Sequence, residues 1–200
     1  FSFKDIFLNG LAADGGLYVP CKIPHYSQED IKKLKKLSYQ ELAVKIVSDF
    51  CNEEFSVSEI EKLVSKSYKN FRTSEVVKIQ KAGNLRLLEL YHGPTLAFKD
   101  IAMQLIGNMY ELVLEKNKIK INIIVATSGD TGAAAISAIK DKKNMKVFVF
   151  HPENKISEIQ RKFMTTVKSK NVYNIALAGT FDDCQKIVKE MFLDKNFKSS

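Results

Sequence analysis

The sequence predicts an α/β fold in which a parallel sheet carries helices on both faces and follows a small, mainly helical N-terminal domain. From residue 85 onward, short apolar runs alternate with helical patterns. Repeated strand–helix units of this length are typical of parallel strands covered by helices. Residues 1–82 instead carry helix-start signals after a loop-rich opening. We therefore expect a mainly helical N-terminal domain at 1–82 and an α/β domain at 83–200.

Three helices of the N-terminal domain are predicted from their first residues. At each start a serine precedes an acid by three positions, the spacing at which the two residues cap each other's backbone amides. The pairs are Ser27–Asp30, Ser38–Glu41 and Ser56–Glu59. Apolar residues then recur on one helical face: Leu42, Ile46, Val47 and Phe50 in one helix, and Ile60, Leu63, Val64 and Tyr68 in the next.

The second part of the chain alternates between strand and helix. Lys81 to Asn84 are predicted to form the turn of a strand pair, and Leu85 to Leu90 a buried strand. The predicted strands are 85–91, 121–126, 146–151 and 172–178. The predicted helices are 100–116, 131–143, 157–169 and 182–193.

Charge and composition disfavour several function classes. The formal net charge is +8, but only 3 of the 31 basic residues are arginines: Arg72, Arg86 and Arg161. The densest lysine cluster, at 32–36, has no aromatic residues between its members. Specific nucleic-acid sites need arginine forks and stacking aromatics, so we expect a solvated surface and no nucleic-acid partner.

Membrane and redox signals agree with a cytoplasmic protein. No apolar run reaches the length of a membrane span, and no signal peptide is evident. We therefore expect no membrane partner. The three cysteines, Cys21, Cys51 and Cys184, form no CxxC pair and are expected to be reduced thiols. No cluster of histidines and cysteines has metal-ligand spacing, so no metal site is predicted.

Lys99 is the strongest candidate for chemistry. It follows a Gly93-Pro94 turn at the predicted start of a helix, among the apolar residues Leu96, Ala97, Phe98 and Ile101. Poor solvation and the positive helix end both favour a neutral amine, which can attack a carbonyl and act as a base. Taken alone, however, the residue is better explained as a lysine that extends from a helix start into water.

A second candidate is the loop that follows the apolar run Ile121 to Val125. Thr127-Ser128-Gly129-Asp130-Thr131-Gly132 combines hydroxyls, backbone amides and a helix N-terminus, which is a favourable geometry for an anion. The loop lacks the lysine and spacing of a nucleotide P-loop, and no GxGxxG motif is present. Its glycines could equally serve only to let strand and helix pack closely.

Three segments together resemble one enzyme family. His92 to Asp100 resembles the cofactor-lysine segment of threonine synthases, pyridoxal-phosphate (PLP) enzymes of the tryptophan-synthase-β-like fold. Ala126 to Ala135 resembles the substrate loop of that family, and Gly10 to Pro20 the opening of its N-terminal domain. The resemblance covers essentially the whole chain. The opening segment separates threonine synthases from cysteine synthases and serine dehydratases, which share the fold.

The resemblance implies a role for each matching residue. Lys99 would hold PLP as a Schiff base and move protons during the conversion of O-phospho-L-homoserine and water to L-threonine and phosphate. Thr127, Ser128 and Thr131 would hold the substrate carboxylate. Asp130 would lie beside the phenolic oxygen of the cofactor, where cysteine synthases carry asparagine. His92 could donate to the substrate phosphate, but a turn-stabilising role is the better explanation; Lys155, Ser157 and Gln160 resemble a family segment without a clear ligand role.

Several alternatives stay open at this point. A phospholyase of the same family would eliminate phosphate without forming threonine, and a non-catalytic homologue or lysine-rich binding module would not use Lys99. The protein could be a monomer or a homodimer. We expect an N-terminal portion of a longer enzyme, with the cradle for the PLP phosphate, the pyridine-nitrogen partner and the substrate-phosphate ligands past Ser200. The portion alone is therefore expected to be inactive.

Overall fold

The computed structural model describes residues 1–10, 12–194 and 197 and divides into two compact units, Phe1–Lys69 and Asn70–Ser200. Leu11, part of the opening segment, and the last residues named in the sequence expectations, including Ser200, lie outside the described residues. Residues 70–82 group with the second unit. The domain boundary near residue 82 stays a prediction.

The described residues of the first unit form four helices: α1 (Phe3–Asn9), α2 (Gln28–Leu34), α3 (Tyr39–Cys51) and α4 (Val57–Tyr68). The three predicted serine–acid caps are confirmed, and Ser2 and Asp5 form a fourth at the start of α1, within the stretch expected to be loop. The apolar face of α4 is buried as predicted. The corresponding face of α3 is only partly covered, since Ile46 and Phe50 are 39% and 46% exposed.

A two-stranded antiparallel sheet opens the second unit. Strand β1 (Lys78–Ala82) pairs with β2 (Leu85–Glu89) through a turn at residues 83 and 84, which confirms the predicted strand pair. The expectation of a buried strand within the parallel sheet is wrong for β2, because Leu85 and Leu88 are 67% and 55% exposed. A sheet of two strands is too small to enclose its own side chains.

The remaining strands form a three-stranded parallel sheet. Strands β3 (Ile121–Ala126), β4 (Met145–Pro152) and β5 (Val172–Leu177) lie in the order β3-β4-β5. The helices of this unit are α5 (Lys99–Asn117), α6 (Asp130–Ile139), α7 (Glu158–Thr165) and α8 (Phe181–Leu193). Right-handed crossovers that advance in one direction place α6 and α7 on one face of the sheet. Helix α8 contacts β3 and β4, and β4 is buried on both faces from Val149 to Pro152. The predicted α/β fold is therefore confirmed.

Helix α6 is shorter than predicted because a long-range contact ends it. Asp141 has a left-handed backbone (φ +65°), and its N–H donates to the side chains of Ser169 and Asn171. The Asn171 amide in turn donates to three backbone carbonyls, those of Ile139, Lys142 and Met145. This network fixes the turn into β4. Among the described residues no helix is both long and apolar enough to cross a bilayer.

Candidate functional site

Lys99 is the first residue of α5, as the sequence predicted to within one position. Its side chain is half-buried, and Nζ lies 4.3 Å from the centroid of the Phe98 ring. Phe98 and Leu96 are 57% and 42% exposed, whereas Ala97 is buried. The apolar neighbours therefore do not enclose the amine within the described residues. The exposed side chains of Leu96 and Phe98 form an apolar rim on the segment just before the lysine, and this rim is open to solvent.

The turn before Lys99 is organised by the residue that follows it. Asp100 is fully buried, and its carboxylate accepts the backbone N–H of Thr95 at 2.7 Å and the Thr95 hydroxyl at 2.8 Å. A Cβ on Gly93 would lie within 2.4–2.8 Å of the Asp100 side chain, so glycine is required there. Burial raises the pKa of Asp100, and hydrogen bonds from Thr95 and from the backbone of Ala97 and Leu96 oppose that rise.

The predicted anion loop follows β3 at the carboxyl edge of the parallel sheet, and Thr127 shapes it. The Thr127 side chain is 1% exposed, and its hydroxyl oxygen accepts the N–H groups of Gly129 at 3.0 Å and Gly132 at 2.9 Å. Gly129 has a φ of +140°, a conformation that only glycine adopts readily. The Thr127 side chain thus stabilises the bend of the loop through hydrogen bonds to the backbone of Gly129 and Gly132. Any contact between its hydroxyl and a substrate stays a prediction.

The other predicted loop residues face outward. Ser128 and Asp130 are exposed and Thr131 is half-buried. Among the described residues neither the Ser128 nor the Thr131 hydroxyl makes a hydrogen bond. Asp130 Oδ1 accepts a hydrogen bond from Nε2 of Gln160 at 2.8 Å. The loop therefore presents two unused hydroxyls near the N-terminus of α6, an arrangement that suits a small anionic ligand. The Asp130 carboxylate beside them would repel an anion and is available for a different, positively polarised or hydrogen-bond-donating group.

The packing of α5 on α6 relates Lys99 to this loop. The contacts rise together in residue number along both helices, so the two helices run in the same direction. The contacting pairs are Gln104–Ser137 and Gly107–Ala138, and Glu111 of α5 contacts Lys142, three residues past the end of α6. An α-helix rises about 1.5 Å per residue. Lys99 therefore lies about 7.5 Å along α5 from Gln104, and Thr131 lies about 9 Å along α6 from Ser137, each towards the N-terminus of its helix. The lysine and the loop thus lie at the same end of the helix pair.

His92, a lesser candidate, is held in a local pair. Its Nε2 lies 2.7 Å from Oε2 of Glu89, and both side chains are largely buried. The backbone carbonyl of His92 also accepts the N–H of Arg72 at 2.8 Å. These contacts suit the turn-stabilising role. The histidine pairing also lowers the pKa of Glu89.

Two functional features were missed or underweighted by the sequence analysis. Asp100 was not singled out, although a glycine and a threonine seven and five residues before it make room for its carboxylate and donate to it. Gln160 was given little weight, yet it contacts Asp130. A cavity of about 560 Å³ between α3 and α4 contains none of the predicted site residues. No cluster of metal-ligating side chains occurs within the described ranges.

Comparison with known proteins finds similarity to one enzyme family. A sequence model of the threonine synthase N terminus matches residues 1–68. The threonine synthase of Pseudomonas aeruginosa is 43% identical over 197 residues, which cover 98% of this chain and 42% of the relative. The PLP-bound threonine synthase of Brucella melitensis has a TM-score of 0.91 at 41% identity, covering 98% of this chain and 42% of that structure. The yeast threonine synthase structure has a TM-score of 0.92 at 42% identity, with the same coverage of both chains.

The chain belongs to the threonine synthase family. It corresponds to the N-terminal portion and spans about two-fifths of the length of the relatives that it matches. The α/β fold that the resemblance implied is confirmed by these structural neighbours. The family is PLP-dependent, in agreement with the sequence-based expectation.

Proposed function

We propose that the protein carrying this chain is a threonine synthase that converts O-phospho-L-homoserine and water to L-threonine and phosphate, with PLP held by Lys99. The observation that carries the proposal is the position of Lys99 and of the loop 127–132 at one end of the parallel helix pair α5–α6. Sequence identity of about 40% to threonine synthases over 98% of the chain supports it.

The residues present fit a PLP site in part. An aldehyde cofactor needs a reachable amine beside a surface able to cover a ring. Nζ of the half-buried Lys99 lies against the exposed ring of Phe98, and Leu96 nearby in the sequence is also exposed. Asp130 offers a carboxylate, held by Gln160, to the polar edge of the cofactor. We propose that the cradle for the cofactor phosphate lies in the part of the protein that this chain does not contain.

When bound, PLP supplies an electron sink for chemistry at the substrate carbons. Lys99 would hold the cofactor covalently through Nζ, yield to the substrate amine, and then act as the base and acid that moves protons at Cα and Cβ. The apolar rim of Leu96 and Phe98 would limit water around that amine once the remainder of the protein covers it.

Substrate recognition is assigned to the loop. We propose that Ser128 and Thr131 donate hydrogen bonds from their free hydroxyls to the substrate carboxylate, with the N-terminus of α6 adding favourable electrostatics. Thr127 would contribute chiefly by curving the loop, since its oxygen already accepts two amides. The Thr127 hydroxyl can still donate its own proton, but the side chain is buried, so that proton reaches a ligand only if the loop moves away from it.

The decisive experiment tests Lys99 in the full-length protein. After incubation with PLP and borohydride reduction, mass mapping should find the label at Lys99. Lys99→Ala should lose both the label and threonine formation. Lys120→Ala, which removes an exposed lysine just before β3, serves as the matched control and should retain both. Labelling elsewhere, or near-normal turnover by Lys99→Ala, would refute the assignment.

The product distinguishes the two enzymatic alternatives. Both reactions would begin at the same lysine, but a phospholyase yields 2-oxobutyrate, whereas a threonine synthase adds water and yields threonine. Measuring both products from O-phospho-L-homoserine with the wild-type protein separates them. Absence of both products and of any label on Lys99 would favour the non-catalytic homologue.

We also propose a cytoplasmic location and the need for the rest of the protein. Cys21, Cys51 and Cys184 are unpaired, which suits a reducing compartment. The matched region is about two-fifths of its relatives, so we expect this chain alone to bind PLP weakly and to form no threonine. Titration of the isolated chain with PLP, followed by borohydride trapping, tests that expectation.

A further inference from the structure

Asp100 makes an unusual set of contacts for an acid in the first turn of a helix. Its carboxylate turns back to Thr95, five residues earlier, and accepts both the backbone N–H and the hydroxyl of that residue. The side chain is fully buried. The Asp100 side chain therefore connects the first turn of α5 to the turn that precedes Lys99. Residues 96–99 form the short backbone loop that this contact closes.

Three features of residues 93–100 that are unfavourable for folding accompany the contact between Asp100 and Thr95. Leu96 has a left-handed backbone with φ +64°, which is costly for a residue other than glycine. Gly93 must lack a Cβ, because one would lie 2.4 Å from that of Asp100. A buried carboxylate also loses hydration, which its hydrogen bonds must offset. All three features lie within the eight residues that end at Asp100.

Simple capping of α5 does not account for this arrangement. Six other helices of the chain begin with a Ser or Thr capping box: α1, α2, α3, α4, α7 and α8. Phe98, the cap residue of α5, makes no side-chain capping bond. The Asp100 side chain is directed at the preceding turn, so it fixes the backbone on both sides of Lys99.

We propose that Asp100, through Thr95, is a positioning residue that holds the Lys99 backbone in the orientation needed for its amine to attack the PLP aldehyde. The inference rests on the proposed function and deepens it. Asp100 would act entirely through its neighbours and would not touch the cofactor. A displacement of about 1 Å at a reacting group can cost about 100-fold in rate, so a loosened turn should be visible in the chemistry of the lysine.

The test compares variants of the full-length protein in two measurements: the rate at which PLP becomes borohydride-trappable on Lys99 of the apo-protein, and kcat against KM. Thr95→Val removes only the hydroxyl donor and nearly preserves side-chain shape, whereas Thr95→Ser retains the donor. Asp100→Asn removes the charge and turns one acceptor into a donor. Asp182→Asn makes the same change at an exposed first-turn position of α8 and is the control.

We expect Asp100→Asn and Thr95→Val to slow Lys99 labelling by about 10- to 100-fold and to lower kcat similarly, with KM changed less than about threefold. Thr95→Ser and Asp182→Asn should stay within about threefold of wild type in both measurements. If Asp100→Asn does not fold, Thr95→Val decides.

Two outcomes overturn the inference, and they can be told apart. If Thr95→Val unfolds more easily but labels Lys99 and turns over at the wild-type rate, Asp100 is a stabilising residue only. If the wild-type protein itself never labels at Lys99, the proposed function fails first and the positioning role fails with it.

Discussion

The Nε2 amide of Gln160 donates a 2.8 Å hydrogen bond to Oδ1 of Asp130 and so joins the start of α7 to the start of α6. The orientation of that amide is set locally. Ser157 donates its hydroxyl to Oε1 of Gln160 at 2.9 Å, and its N–H to the same oxygen at 3.3 Å, in a capping box. With the oxygen occupied, only the NH₂ group is left to face Asp130. A residue of the helix cap thus orients the carboxylate assigned to the cofactor.

Gln160→Glu should disturb Asp130 while it preserves the cap. Glutamate is equally suited to the third position of a capping box, but its second oxygen would face the Asp130 carboxylate. Two like charges at hydrogen-bond distance repel each other, so we expect Asp130 to move and PLP affinity of the full-length protein to fall by about 10-fold or more. Spectroscopic titration with PLP measures the change.

A matched substitution separates this effect from loss of the cap. Ser157→Ala removes the capping hydroxyl and should cost about 1 kcal/mol of stability. The backbone N–H of residue 157 still donates to Oε1 of Gln160, so the amide should keep its NH₂ group towards Asp130. Its PLP affinity should stay within about threefold of wild type. Equal affinities for Gln160→Glu and wild type would show that the Asp130 orientation does not matter for the cofactor.

Thr127→Val should destabilise the fold through the loop. The valine keeps the shape of the side chain but leaves the N–H groups of Gly129 and Gly132 without their acceptor. An orphaned buried donor costs about 1–3 kcal/mol, so urea unfolding should show a loss of at least about 1 kcal/mol. Thr127→Ser keeps the acceptor and should lose less. A valine variant as stable as wild type would mean that water reaches these amides.

Ser128→Ala should weaken substrate binding and leave the stability of the fold nearly unchanged, in contrast to Thr127→Val. Ser128 is exposed, so its removal should change stability by less than about 0.5 kcal/mol. Losing one hydrogen bond to the charged substrate carboxylate should cost about 1.5–3 kcal/mol, equivalent to about a 10- to 100-fold rise in KM. Steady-state kinetics and PLP titration test this in the full-length protein. Equal weakening of substrate and cofactor would reassign the loop to the cofactor.

The features that were predictable from sequence are those set by local chemistry. A serine and an acid three residues apart at the start of a helix, as in Ser38–Glu41, cap each other through contacts within four residues, and the structure contains every cap that was predicted. The exposure of Leu85 was not predictable, because a run of leucines does not reveal how many strands its sheet will have. The end of α6 likewise depends on Asn171, about thirty residues further along the chain.

The candidate site divides in the same way. Lys99 and the loop that begins at Thr127 were found from residue type and from their position between a strand and a helix. The inward direction of the Asp100 carboxylate depends on tertiary packing around the turn, and the amide orientation of Gln160 matters only because Asp130 lies beside it. Sequence patterns identified the groups that we propose to react or bind, but not the neighbours that hold them.

The titration of Asp100 gives a prediction with a definite sign. Burial is the largest influence on this carboxyl group and raises its pKa above the usual 3.8, although the hydrogen bonds from Thr95 oppose the rise. The folded protein therefore holds the proton more tightly than the unfolded chain does. As pH rises from below 3.8 through the folded pKa, the unfolded state releases its proton first, so this group's contribution to stability falls and then levels off.

Asp100→Asn lacks this titration, whereas the other acids of the protein are common to both variants and largely cancel in a comparison. We therefore expect the stability of wild type relative to Asp100→Asn to decrease as pH rises from about 3 and to become constant once the folded carboxyl is ionised. Urea unfolding of both full-length proteins at a series of pH values measures the difference. A relative stability that increases with pH would mean that the hydrogen bonds outweigh burial and that the carboxylate is the favoured form. That result would leave the contact with Thr95 intact and make it a stronger anchor for the turn before Lys99, because the bond would join a full charge to two donors.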